Sequence, residues 1–519
     1  MKASDSWEDQ SLSRRGVLGG LASGTVALTL GFADGNPALA VTPVASNDLL
    51  QELVIDLAGV PDSIDPALAY SPRDWSIVHA LYDAPVAIDH DGNIVPLAAE
   101  SFEAIDELTW ELKLLPGQRF HDGSPVTVEA VVRSLDHIIV SESQAASLFA
   151  GITEIEVMDD ITCRIVCAAP SPWLPAQIAV YLVLMPADIE PENLLTAPIG
   201  SGPYTFHSQE PGVSISLVRN PDWVSSGAKG WPIAERVTYR YVSEVATRIA
   251  DLSTDAAQLV TEIPHEQTAA IVDAGAEPVE ISVVGIHFVR IATDVEPLNR
   301  PEVRRALNHA IDAESIAQAL VSPEAHRLAS LFPDERALGF DPSLPTFTYD
   351  PGLARELLSG VGVDTLDLTF EVTTGARVDI AEALAAQWAE VGVNVSVLVS
   401  DYGTFNATWN DTGAPALRLV SWAPMFDPQS LLGLVFSSEG YLSRYTNTEV
   451  DELIVTGGLE SDVSARQAVY QSLAEVMQAD PPAVFLWNLT SGYGVGPGAT
   501  IWGARGDDYV LPMSAGGVS

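Results

Sequence analysis

The sequence predicts an α/β protein of two or three domains, and three observations carry the prediction. Short apolar runs with the two-residue period of strands alternate with stretches whose apolar residues recur every three or four positions. A strand, helix, strand unit runs through Gly392, the signature of a parallel crossover. The chain has 519 residues, more than one ordinary core organises. No internal repeat or low-complexity block appears after residue 41, and 47% hydrophobic with 18% charged residues is a globular composition.

Taken in order, the first forty residues read as a targeting segment. Arg14 and Arg15 precede a mildly apolar run from Val17 to Phe32, and Ala38-Leu39-Ala40 supplies the small-x-small pattern of a signal-peptidase site. The run is shorter and less apolar than the ~20 residues of a membrane helix. It resembles a twin-arginine export signal, whose pathway carries folded proteins; the alternative is an uncleaved anchor. No cysteine lies near the cleavage site, so an N-terminal lipid anchor through cysteine is not expected.

Thr109 to Leu114 has period two and places Trp110, Leu112 and Leu114 on one face of a strand. Pro116-Gly117 and His121-Asp122-Gly123 are turns, with His121 expected to bond local backbone, and Thr127 is positioned to cap the following helix. Cys163 and Cys167 lie four apart on a strand-like run, about 13 Å from each other at about 3.3 Å per residue. A disulfide needs Cα atoms within about 7 Å, so buried free thiols are expected. From Pro301 to Ile311, Val303, Ala306, Leu307, Ala310 and Ile311 form one buried stripe, with Pro301 in the first turn. Asp350-Pro351 opens a second helix, with Leu353, Ala354, Leu357 and Leu358 inward and Gly360 closing it. A third helix runs from about Val378 to Val391, stops at Gly392 and leads into the strand Val393 to Val397. After a helix near Ala465 to Gln478, Pro481-Pro482 halts the chain and Ala483 to Trp487 reads as a buried strand. The glycine-rich stretch Gly492 to Gly498 is expected to be a surface loop.

With 70 acidic against 25 basic residues, the net charge is -45, which repels phosphate backbones and anionic lipid. Nucleic acid is therefore an improbable partner. No G-x-S-x-G, H-E-x-x-H or P-loop pattern occurs, and the nine histidines show no ligand spacing. Neither a catalytic set, a metal site nor a cofactor is expected, although a hydrolase whose groups converge in space stays open as an alternative.

The order of several segments then matters. Ser63-Ile64-Asp65-Pro66, Leu81-Tyr82-Asp83, Trp110 to Lys113, Gly117 to Pro125, Gly200-Ser201-Gly202-Pro203-Tyr204, Val303 to Asp312, Tyr349-Asp350-Pro351, Asp427-Pro428 and Tyr445 to Asp451 occur in sequence. Together they resemble the family 5 extracellular solute-binding proteins, the peptide, dipeptide and nickel receptors of ABC importers. The similarity covers nearly all of residues 50 to 490. It implies a two-lobed periplasmic-binding-protein fold of type II, cluster C-like, with mixed sheets and an interlobe ligand cleft. The larger lobe would be residues 41 to 286 plus 481 to 519, and the smaller lobe 287 to 480, hinged near Gly285 and Pro481. It also implies an exported, extracytoplasmic monomer that delivers a peptide or peptide-like small molecule to a membrane permease, or reports it to a sensory partner.

For the ligand, the stretch Trp422-Ala423-Pro424-Met425-Phe426-Asp427-Pro428 is similar in spacing to the cleft loop of the nickel-type branch. The loop Ala67 to Pro72 likewise nominates Tyr70. The resemblance thus implies Tyr70, Trp422, Met425, Phe426 and Asp427 as ligand contacts. The nickel-type arginines and histidine have no counterpart, which leaves a metal chelate as the second reading. Dipeptide-type receptors hold the peptide amino terminus with an acid before Asp-Pro, and Ala423 to Phe426 supply none. A buried ammonium without a partner is costly, which favours a more apolar or aromatic ligand surface.

Overall fold

One long mixed sheet runs through the molecule. The computed structural model describes residues 49–514 except 90, 91, 142, 225, 226, 374–376, 410 and 412. The expected signal, with Arg14, Arg15, Ala38 and Ala40, lies outside the described residues. The chain begins with β1 (Leu50–Leu57), the hairpin β2 (Val86–Ile88) and β3 (Ile94–Pro96), and then β4 (Ala99–Ala104) and β5 (Thr109–Leu114). It continues through β6 (Ile152–Val157), β7 (Thr162–Cys167), β8 (Tyr204–Glu210), β9 (Ser214–Arg219), β10 (Ala234–Tyr241) and β11 (Leu259–Val260). The second half contains β12 (Glu277–Ile291), β13 (Leu366–Thr373), β14 (Val393–Ser400), β15 (Leu417–Trp422) and β16 (Ala483–Val495).

The large sheet has the order β14-β13-β15-β12-β16-β11-β1-β10-β9-β8, and β4-β5-β7-β6 form a separate antiparallel sheet. β13 is parallel to both β14 and β15, and the helix Arg377–Ala389 makes the β13 to β14 crossover, as the sequence predicts. β5 also follows the predicted period, with Trp110, Leu112 and Leu114 buried on one face. Cys163 and Cys167 are buried, unpaired thiols on one face of β7. Burial pushes the Cys163 thiol up to about 12.

The cores divide where the sheet changes partners. One cluster gathers buried residues from Leu53 to Leu259 and from Tyr493 to Met513. In the second half, alternate residues of β12 face opposite ways. Val289 and Ile291 pack under the helix Pro301–His309 with Val303 and Leu307, whereas Ile286 and Phe288 pack with Val420, Met425 and Phe436. β12 and β16 pair with each other along both halves, so these two strands join them.

Several expectations shift. β16 does not end at Trp487: Val484, Leu486 and Trp487 belong to the second half and Tyr493 and Val495 to the first. The return crossing therefore lies near Asn488 rather than at Pro481. Gly492 to Val495, expected in a surface loop, is strand. A Cβ at Gly492 would overlap the carbonyl oxygen of Ile263, whose own N–H donates to the Gly492 carbonyl at 2.8 Å. Glycine allows that close pass. Thr127 occupies the cap of the helix Val128–Val140 without a side-chain hydrogen bond. The helix Pro351–Gly360 is capped by Asp350, accepting from the Leu353 N–H at 2.9 Å, but Gly360 is still helical and the left-handed residue is Gly362 at φ +75. His121 bonds backbone that is remote in sequence, facing the Gly202 carbonyl at 3.1 Å and accepting from the Gly200 N–H at 3.1 Å.

Candidate functional site

The loop after β15 lies where the halves meet. β15 pairs with β12, matching Trp422 with Ile286 and Ser421 with His287. The β12–β16 register slips between Ser282 and Ile286, a bulge that frees the backbone of Val284. Its carbonyl accepts from the Met425 N–H at 2.7 Å, and its N–H donates to the Gly506 carbonyl at 2.8 Å. Gly285 makes the approach possible, since a Cβ there would lie 2.7 Å from both Ala423 Cβ and Leu489 Cδ1. The bulge thus docks residues 423–425 onto the strand that joins the halves.

The five sequence-nominated contacts separate on this frame. Met425 has no exposed surface and packs with Ile286 and Phe288, so the structure gives it a core role instead of a ligand contact. Trp422 is half-buried against the same core. Asp427 is engaged: Arg466 Nη1 donates to its Oδ2 at 2.5 Å, Nη2 to its Oδ1 at 3.0 Å, and the Gln429 N–H to Oδ1 at 3.0 Å. Burial disfavours the Arg466 cation, yet Asp427 and Tyr470 more than offset it, so its pKa lies above the usual value. Phe426 is half-buried and packs against the cores of both halves, its ring under the turn at Gly92. Tyr70 is 38% exposed; its N–H donates to the buried Asp74 carboxylate at 2.9 Å, and it lies close enough to Tyr181 to raise that phenol, already pushed up by burial, to about 12.

A void of about 20 Å³ separates the two halves at this loop. The first half contributes Ile88, Ala176, Gln177, Val180 and Tyr181, and the second Pro424, Phe426, Asp427 and Ser430. Phe426 and Asp427 are thus brought together at the void, while Trp422, Met425 and Tyr70 do not line it. Sequence reasoning missed the contribution of the helix Leu174–Tyr181. Its signal is a lone glutamine, Gln177, inside the apolar run Leu174-Pro175-Ala176-Gln177-Ile178-Ala179-Val180, with Pro175 tolerated in the first turn.

Behind Ile88 and Val180 lies a second void of about 20 Å³, inside the first half, lined by His79, Lys229, Arg505, Asp507 and Tyr509. His79 stacks on Tyr509 at 5.2 Å between centroids. Burial first, and then the cations Lys229 and Arg505, hold the imidazole well below its ordinary pKa. Among the described residues no group of three or more His, Cys, Asp or Glu is placed to hold a metal ion, and no helix is long and apolar enough to cross a membrane.

Known proteins share this architecture. The chain matches the family model described as bacterial extracellular solute-binding proteins, family 5 (middle region), over residues 93–443. It is 26% identical over 464 residues to the glutathione-binding protein GsiB of Pectobacterium atrosepticum, covering 84% of this chain and 88% of that protein. The periplasmic binding protein AgaA of A. tumefaciens R10, solved with agropinic acid, superposes with a TM-score of 0.79 at 20% identity, over 89% of this chain and 98% of that one. The ABC transporter-associated periplasmic binding protein DppA of Helicobacter pylori, solved with the peptide STSA, gives 0.79 at 20% identity, over 91% and 99%. These likenesses establish the fold as the two-lobed, type II fold of periplasmic binding proteins, with mixed sheets.

Proposed function

The chain belongs to the family 5 bacterial extracellular solute-binding proteins, and on that premise we propose that it is the exported receptor of an ABC importer, capturing a small peptide-like solute between its lobes and presenting it to a membrane permease. The observation that carries the reading is the void at the lobe junction, walled by the helix Leu174–Tyr181 on one side and the loop Pro424–Ser430 on the other. The halves are joined by β12 and β16, and the register slip beside Gly285 is a place where a few residues can absorb a rotation. As drawn together, the lobes leave room for about one water molecule. A peptide-sized ligand needs roughly 300 Å³ or more, so entry requires opening about these strands. Closure then buries the ligand, and the closed form is the state that a permease distinguishes.

Phe426 supports the same reading, since it touches both lobes and its environment changes on opening. Asp427 serves here by holding the loop through Arg466. The relatives named above are binding proteins, which fits a receptor rather than an exported hydrolase. Native mass spectrometry of the exported protein tests the proposal: a one-to-one small-molecule adduct, released on denaturation, is expected, together with stimulation of the cognate permease ATPase. An exported protein that carries no adduct, gains no thermal stability from any small solute and leaves the ATPase unchanged is not a receptor.

A further inference from the structure

Charged groups facing the two voids are matched one to one. Asp427 is bidentate with Arg466. Lys229 Nζ donates to Asp83 Oδ1 and to the carbonyls of His79 and Tyr82, each at 2.8 Å, which uses all three of its protons. Arg505 Nη2 donates to Asp507 Oδ2 at 2.6 Å and to the Ile88 carbonyl at 2.9 Å. Burial and the two neighbouring cations keep His79 neutral. A carboxylate or ammonium brought between these pairs finds no unmatched counter-charge, and burying an ion without one is strongly unfavourable.

The interlobe void offers neutral hydrogen-bonding groups instead. Gln177 is 4% exposed, lines the void, and its carboxamide makes no hydrogen bond among the described residues. Tyr181 and Ser430 line the same void, and their hydroxyls likewise make no hydrogen bond among the described residues. The carboxamide opens onto the void, so an occupant that displaces water from it must return its hydrogen bonds, a demand that a leucine there would not make. The group therefore calls for an occupant that both donates and accepts, because a carboxamide does both. Phe426, Pro424, Ile88 and Val180 supply the apolar walls.

We propose that the ligand of this protein is an uncharged solute carrying amide or hydroxyl groups, which the Gln177 carboxamide reads together with the hydroxyls of Tyr181 and Ser430, while Phe426 covers its apolar face. The inference rests on the receptor reading above and narrows it: a peptide-like ligand has blocked or absent charged ends. Gln177 is then the residue that sets specificity.

The test compares matched probes on the full exported protein by thermal shift and calorimetry. The charged set is Ala-Phe, Ala-Ala-Ala, glutathione and the nickel bis-histidine complex. The neutral set is the N-acetylated, C-amidated forms of the same two peptides, with cellobiose and maltotriose; its members separate an amide from a hydroxyl ligand. Stabilisation is expected from the neutral set, with the better blocked peptide or saccharide binding at least tenfold tighter than any charged probe, about 1.4 kcal/mol. Gln177→Leu is expected to lose at least tenfold in affinity with an unchanged circular dichroism spectrum. If that variant does not fold, Gln177→Asn, with the carboxamide one methylene shorter, is expected to weaken binding in the same direction. A charged probe that binds as tightly as the neutral ones, or an affinity indifferent to Gln177, overturns the inference and leaves the receptor reading standing. Binding by no probe of either set counts against both.

Discussion

Met425 and Phe426 are adjacent in the chain and differ in what they touch. Met425 is sealed in the second-lobe core, so Met425→Ala is expected to lower stability by about 2–5 kcal/mol, measured by urea unfolding. Phe426 bridges the lobes from a half-buried position; Phe426→Ala is expected to keep the melting temperature within a few degrees while the ligand adduct seen by native mass spectrometry is lost. Asp508 supplies a pH prediction. It is half-buried, at φ +64, and its carboxylate accepts from the Tyr493 hydroxyl. Desolvation outweighs the hydrogen bonds from Tyr493 and Ser491 and pushes its pKa up to about 7, from 3.8 in an exposed carboxyl. Between those values the folded protein holds a proton that the unfolded chain has released, so this group's contribution to stability falls as pH rises from 3.8 through about 7. Asp508→Asn, which tolerates the left-handed backbone, is expected to show a smaller drop in melting temperature between about pH 5 and pH 8 than the parent.

At the scale of elements, local pattern and local structure agree where one face of an element meets a core. Val303, Ala306, Leu307, Ala310 and Ile311 are all buried, as the spacing from Pro301 predicts. Caps and ends were less legible: Thr127 holds its cap position without a side-chain hydrogen bond, and the helix expected to close at Gly360 still includes it. β16 is the clearest case. Its glycines look like loop residues until Ile263 is placed beside Gly492, where a side chain has no room. Gly492→Ala is expected to cost about 1–3 kcal/mol, read as a lower urea midpoint, by pushing β16 off the Ile263 backbone. The lone Gln177 in an apolar helix was a visible signal that carried no meaning until the opposite lobe was in place.

For the whole molecule, the consequential feature is that the lobes share one sheet through β12 and β16. A side chain at position 285 would press on Ala423, Leu489 and the Trp422 carbonyl, which belong to the loop and strand that close on it. Gly285→Val is therefore expected to hold the lobes apart, giving a larger radius of gyration by small-angle scattering that no longer contracts with ligand. A variant that contracts like the parent places the pivot elsewhere.

The sequence by itself determined the α/β class, the strands and helices with one buried face, the free cysteines and the family. These follow from residue types at short spacing, where periodicity and chain geometry act locally. It did not determine which loop residues face the cleft, where β16 crosses, or that the charges at the voids cancel. Those depend on residues far apart in the chain: Asp427 on Arg466, Phe426 on the turn at Gly92, and Arg505 on the Ile88 carbonyl. An aromatic, an acid or a glutamine has the same chemistry in core and in cleft, and burial and partners, which tertiary contact alone supplies, assign its role.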